Sequence, residues 1–208
     1  MRVGHGEDRL TFEDPEGMGL ELRIEDVPDE PLLAEADDIP AEHAIQGFAG
    51  VRAYASSPER SRAILEQPLS MEHASGTRWD ARGHLRGGWI EYEQPPLDRG
   101  IPGGGTVHHV AWAIPLGTEQ QWLDRVTQAG TQTSGLIDRF YFRSIYFREP
   151  SGILFELATM GPGFTVDEDA STLGEKVALP PFLEPMRERI EAALTPLDGV
   201  GRQRSEIS

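Results

Sequence analysis

The chain has 208 residues, 38% of them hydrophobic, enough for one ordinary domain or two small modules with a real core. Its net charge is −16 and it has no basic patch, which disfavours binding to nucleic acid. Cysteine is absent, which excludes disulfides, thiolate metal sites and cysteine nucleophiles. Nothing reads as a transmembrane span or a signal peptide, so a soluble cytoplasmic protein without membrane contact is the expectation. Lys176 is the only lysine, and every other cation is arginine. Such an acidic, lysine-poor surface repels itself unless salt screens it, which points to salt adaptation; an ordinary acidic enzyme is the alternative.

The chain opens on one copy of a diverged repeat. Leu10-Thr-Phe-Glu-Asp-Pro-Glu-Gly-Met-Gly-Leu-Glu-Leu22 aligns with Ile145-Tyr-Phe-Arg-Glu-Pro-Ser-Gly-Ile-Leu-Phe-Glu-Leu157. Both read as strand, acidic-Pro-x-Gly turn, strand, with apolar positions matched on either side. A repeat of this kind indicates a modular fold. The second copy follows a strand and a helix, whereas the first has nothing ahead of it. Residues 1–25 are therefore expected to be the remnant hairpin of a truncated module. Residues 26–46 are acidic, contain Pro28, Pro31 and Pro40, and read as a linker.

A new unit spans residues 47–98. Gly50–Ala55 reads as a strand. Ser57-Pro58 reads as an N-cap followed by proline at the first helical position, opening a short helix to about Glu66. Strands are expected near Met71–Arg78 and Leu85–Tyr92, and Pro95-Pro96 with Gly103–Gly105 marks the boundary. The next unit spans 105–160. Thr106–Ile114 reads as a strand, and Thr118 with Gln121 as a capping box. Trp122, Val126 and Ala129 fall at helical spacing, and Gly130 ends the helix. Three strands follow, closing near Ala158. Strand, helix, then three strands describes both units, so the fold class is α+β with two βαβββ modules forming a domain over 47–164. Residues 165–208 form a tail, in which Glu184-Pro185 opens a short helix carrying Met186, Ile190 and Leu194 on one face.

The chemistry concentrates in the last module. Glu156 sits between Phe155 and Leu157, and an acid inside an apolar run is costly to bury without compensation, for which a metal ion is a common source. Val107-His-His-Val-Ala-Trp112 is a second apolar run, broken by two histidines. Strand residues alternate between faces. Val107, His109, Ala111 and Ala113 share one face, and its small alanines leave room for a metal and a ligand. His108, Val110, Trp112 and Ile114 share the other, which should pack on the helix. Alternation also sets Glu156 apart from Phe155 and Leu157, and Tyr146 apart from Ile145 and Phe147. His109, Glu156 and Tyr146 then share a concave face, with His108 as a supporting neighbour. Histidine and carboxylate on neighbouring strands make two thirds of a facial-triad iron site. The residues alone leave a second reading open: hydrogen-bonded structural histidines, and an acid paired with a buried arginine. Glu21, the repeat partner of Glu156, is expected to be of that second kind.

Gly105-Thr-Val-His-His-Val-Ala111, the run from Asp138 to Gly152, Phe155-Glu156, Gly161-Pro-Gly-Phe164 and the stretch from Leu179 to Pro185 closely resemble the hydroquinone-type ring-cleaving dioxygenases. These belong to the glyoxalase/bleomycin-resistance/extradiol dioxygenase, or vicinal oxygen chelate, superfamily. The resemblance covers nearly the whole chain and implies a fold of βαβββ modules. It implies Fe(II), with Mn(II) as an alternative, held by two histidines and a glutamate, and places one ligand at His109 and the glutamate at Glu156. It implies outer-sphere roles for Arg139, Tyr146 and His108, and a small aromatic substrate with O2. Arg139 has the wrong strand parity to join Tyr146, so a turn or bulge between them is expected. The family's remaining histidine lies on the opening strand of its first module, and this chain begins after that strand. His5, His43, His73 and His84 have no motif support as substitutes. The expected protein is thus an N-terminally shortened ring-cleaving dioxygenase, impaired by one missing ligand. The alternative is a non-catalytic binding protein of the same fold, or a fragment completed by a homodimer or a partner chain.

Overall fold

The computed structural model describes residues 3–195, apart from 7, 16, 34–37, 98–99, 102 and 104. Strands β1 (Val3–His5), β2 (Arg9–Glu13) and β3 (Gly19–Arg23) form an antiparallel sheet, so a third strand joins the hairpin expected at the start. The first βαβββ unit comprises β4 (Gly50–Tyr54), a 3-10 turn (Pro58–Ser61) running into α1 (Arg62–Glu66), β5 (Glu72–Ser75), β6 (Arg78–Arg82) and β7 (Gly87–Glu93). The second comprises β8 (Val110–Ile114), α2 (Glu119–Gln128), β9 (Ile137–Asp138), β10 (Arg143–Arg148) and β11 (Leu154–Thr159). A short helix, α3 (Arg187–Ala193), lies in the tail. Among the described residues no helix is long and apolar enough to cross a membrane.

The two four-stranded sheets have the same topology, β4-β7-β6-β5 and β8-β11-β10-β9. In each, the opening strand runs parallel to the closing strand, β4 with β7 and β8 with β11. A parallel pair needs a crossover connection, and the helix of each unit lies within it. Alternation then sorts the side chains. Ile145, Phe147, Phe155 and Leu157 are buried on one face, where Val126 of α2 joins them. Leu65, Trp79, Ile90 and Tyr92 do the same in the first unit, and all belong to one continuous core. Burying a side chain of this size contributes about 1.5–3 kcal/mol.

The repeat is reproduced bond for bond. Asp14 accepts from the Met18 N–H with its side chain at 2.7 Å, as Glu149 does from Ile153 at 2.8 Å. Gly17 and Gly152 follow with φ of +89° and +100°, a conformation that glycine enters without strain. The cross-strand pairs match as well: Leu10 with Leu22 and Ile145 with Leu157, then Thr11 with Glu21 and Tyr146 with Glu156. Glu149 adds a role between the units, accepting from the Ser61 hydroxyl of the first while itself buried.

Local details differ from expectation. Neither Ser57 nor Thr118 caps its helix with a side chain; the Thr118 hydroxyl donates instead to the Pro115 carbonyl at 2.7 Å. The stretch read as one strand over Met71–Arg78 turns at Gly76, giving β5 and the start of β6. Strand β8 begins at Val110, so His108 and His109 stand just ahead of the ladder rather than inside it. In the stretch after β3, Asp29 accepts from Arg82 at 2.6 Å and from the Gly87 N–H at 3.1 Å. Those two bonds hold the Asp29 carboxyl below the usual carboxylate range, the Arg82 bond contributing most.

Candidate functional site

The face of the β8–β11 sheet that carries Glu156 and Tyr146 brings together the predicted residues. Strand β11 carries Glu156 beside Ala111 of β8 and opposite Tyr146 of β10. Its carboxylate is buried, yet His109 reaches it, with Nε2 2.7 Å from Oε2. The other oxygen, Oε1, accepts the hydroxyl of Ser144 at 2.5 Å. Tyr146 stands edge-on to the His109 ring, the centroids 5.8 Å apart. Ala111 and Ala113 are exposed, so this face has the room expected beside the pair.

His108 lies alongside, its Nδ1 2.9 Å from His109 Nδ1. With a neutral His109 donating from Nε2 to Glu156, His109 Nδ1 accepts and His108 Nδ1 donates. Were His109 Nε2 to bind a metal, its proton would move to Nδ1 and His108 would become the acceptor. A metal-ligating histidine is commonly held in this way through its second nitrogen.

Arg139 also arrives, and the turn that its parity demanded is present. The β9–β10 connection closes with Arg139 N–H donating to the Phe142 carbonyl at 2.9 Å. Phe140 adopts φ +71°, a left-handed conformation unusual for a bulky residue, and its N–H is held by the Asp138 carboxylate at 2.7 Å. The Arg139 guanidinium then sits 5.3 Å from the Tyr146 ring centroid. Ser144 is the participant that sequence reasoning missed. It lies two residues before Tyr146, on the same face by alternation, and that spacing was the available signal.

The donor set fits part of a ferrous site. An imidazole nitrogen and a carboxylate oxygen converge on one spot, as two corners of a facial triad require. Among the described residues, however, no group of three or more His, Cys, Asp or Glu is disposed to hold a metal. His73 is engaged elsewhere, against Trp79 and the Gly76 carbonyl. The side chain of His5 lies outside the described residues.

The chain thus carries two βαβββ units, with an acid and an imidazole together on one face of the second. It is similar to proteins named ring-cleaving dioxygenases. It is 35% identical over 198 residues to the "Putative ring-cleaving dioxygenase MhqO" of Bacillus subtilis, covering 93% of this chain and 63% of the relative. It is 28% identical over 201 residues to the chlorohydroquinone/hydroquinone 1,2-dioxygenase of Sphingobium indicum, covering 91% of this chain and 62% of that protein. A crystal structure titled as a putative dioxygenase from Bacillus subtilis superposes with a TM-score of 0.81 at 33% identity, covering 95% of this chain and 65% of that one. The chain thus spans just under two thirds of the length of these relatives. No protein-family model matches it.

Proposed function

We propose that the chain carries the His109–Glu156 part of an iron-dependent centre that cleaves hydroquinone-type aromatic rings with O2. The observation that carries this reading is the 2.7 Å contact between His109 Nε2 and Glu156 Oε2 on an open face. The names of the relatives support the choice of ring-cleaving chemistry and of hydroquinones. His109 Nε2 and Glu156 Oε2 are the atoms that would hold ferrous iron, with Mn(II) as the alternative ion. Iron supplies Lewis-acid and redox chemistry that these side chains lack.

The remaining residues supply position, charge and proton transfer. Ala111 and Ala113 leave the space an aromatic ring needs. Tyr146, beside the imidazole, exchanges a proton between its hydroxyl and a substrate oxygen. Arg139, poised over the Tyr146 ring, stabilises negative charge developing there. His108 fixes the His109 ring through Nδ1.

A second reading rests on the two-donor set. With only two candidate ligands together among the described residues, the chain acts as a metal-free binder of small aromatics or needs another chain to complete the site. One experiment separates the readings. The purified chain is loaded anaerobically with Fe(II), dialysed, and supplied with hydroquinone in an oxygen electrode. Stoichiometric iron with substrate-dependent uptake is expected. Neither iron nor uptake would leave the second reading.

A further inference from the structure

We infer that Ser144 is a positioning residue: its hydroxyl holds one oxygen of Glu156 so that the other is aimed at His109. The inference rests on the proposed metal-binding role of Glu156 and deepens it. Ser144 is completely buried, at 0% exposure, and its one side-chain hydrogen bond is the 2.5 Å contact to Oε1. The Glu156 oxygens are therefore divided, Oε1 to Ser144 and Oε2 to His109. A carboxylate tethered at one oxygen loses rotational freedom about its final torsion. Its second oxygen then points along a single direction without further entropy loss.

The molecule contains its own control. In the repeat, Glu21 occupies the place of Glu156, and Arg9 the place of Ser144: Arg9 pairs with Arg23 one step before the Leu10–Leu22 pair, as Ser144 pairs with Ala158 one step before Ile145–Leu157. Both residues address the acid across the strand pair, Arg9 Nη1 standing 3.7 Å from Glu21 Oε2. The difference is charge. Arginine at this position adds a third positive charge beside an acid already paired with Arg52 and Arg23, while serine donates one hydrogen bond and adds no charge. A cation needs the acid's own charge, and a short neutral donor is the side chain that orients the acid without competing with the cation.

The test uses the full chain with three substitutions, Ser144→Ala, Ser144→Thr and Ser144→Arg, and two readouts. In the metal-free chain, NMR follows the proton shared between His109 Nε2 and Glu156. Equilibrium dialysis separately gives the affinity for Mn(II) alone. Ser144→Ala is expected to shift or broaden the proton signal and to weaken Mn(II) binding about 10–100-fold, the usual range for an outer-shell loss. Ser144→Thr restores both, because it keeps the hydroxyl. Ser144→Arg, which installs the repeat's own solution, abolishes Mn(II) binding. If Ser144→Ala leaves the proton signal as in the wild type, the positioning role is overturned, whatever Mn(II) does. If the wild-type chain binds no Mn(II) but the signal still responds to Ser144→Ala, the positioning role stands and the metal-dependent function falls. Circular dichroism of Ser144→Ala and Ser144→Thr confirms that both are folded.

Discussion

Two sheet faces in this molecule share one scaffold and hold opposite contents. Aligned through their cross-strand pairs, Val51 with Ile90 and Val110 with Phe155, the sheets place Glu91 where Glu156 stands. On the β4–β7 sheet, Arg52 lies 2.6 Å from Glu91, and the same guanidinium reaches Glu21 of β3 at 3.1 Å and Glu93 at 2.9 Å. Arg23 joins Glu21 at 3.3 Å and Glu25 at 3.1 Å. Trp89 lies in the midst of these groups, with Arg23, Arg52 and Arg78 over its ring and its indole N–H donating to Glu25. On the β8–β11 sheet, by contrast, the acid meets a serine and a histidine, with exposed alanines alongside. The same βαβββ frame thus yields a filled, ion-paired face and an open one that carries a single acid. The choice rests on a few side chains. Glycine stands at position 50 where the other sheet has His109, and the space is taken by Trp89: a Cβ on Gly50 would come within 2.3 Å of the indole.

The contrast can be broken from either side. The largest effect is expected at the acids. Glu156→Gln removes the charge that faces His109 and should abolish iron retention after dialysis, as read by metal analysis. Glu21→Gln should leave iron content unchanged and instead cost about 1–2 kcal/mol in urea unfolding, because it weakens the pairs to Arg52 and Arg23. Equal effects on iron would refute the division of the two faces.

Next in size is Tyr146→Phe, which keeps the ring beside His109 and removes only the exchangeable proton. Turnover in the oxygen electrode should fall by about 10²–10⁴-fold with iron still bound. Unchanged turnover would remove Tyr146 from the chemistry. A smaller effect is expected at Gly50. Gly50→Ala forces Trp89 to shift and should destabilise the chain by about 1–3 kcal/mol in the same unfolding assay, without touching iron content.

The smallest effect concerns pH. Arg82 holds the Asp29 carboxyl below its ordinary value, so the pair contributes stability above the unfolded pKa of about 3.9. That contribution is lost as pH falls through the lower folded value. The stability gap between wild type and Asp29→Asn should therefore be present at neutral pH and shrink in acid. A gap independent of pH would contradict the ion-pair origin.

Much of this was legible before any coordinates. Alternation placed Glu156 and Tyr146 on one face, because strand geometry has a period of two whatever surrounds it; His109 joins them from just ahead of its ladder. The acidic-Pro-x-Gly turns were readable because an acid accepting from the N–H four residues on, together with a left-handed glycine, is a local device. Glu21 was expected to pair with arginine rather than hold a metal, and it pairs with Arg52 and Arg23. Ser144 was passed over because a small polar residue in a strand carries no signal until its partner is known.

What the chain determined by itself was therefore short-range: the order of strands and helices, the repeated turns, and which side chains share a face. Periodicity and turn chemistry act over a few residues, and they survive in the sequence as a pattern. Tertiary structure decided what those faces contain. Arg139 reaches Tyr146 only through the left-handed turn at Phe140, Arg52 finds Glu21 across 31 positions of chain, and Trp89 fills the space that Gly50 leaves. Contacts of that kind depend on how whole sheets approach one another, and no local spacing encodes the distance between them.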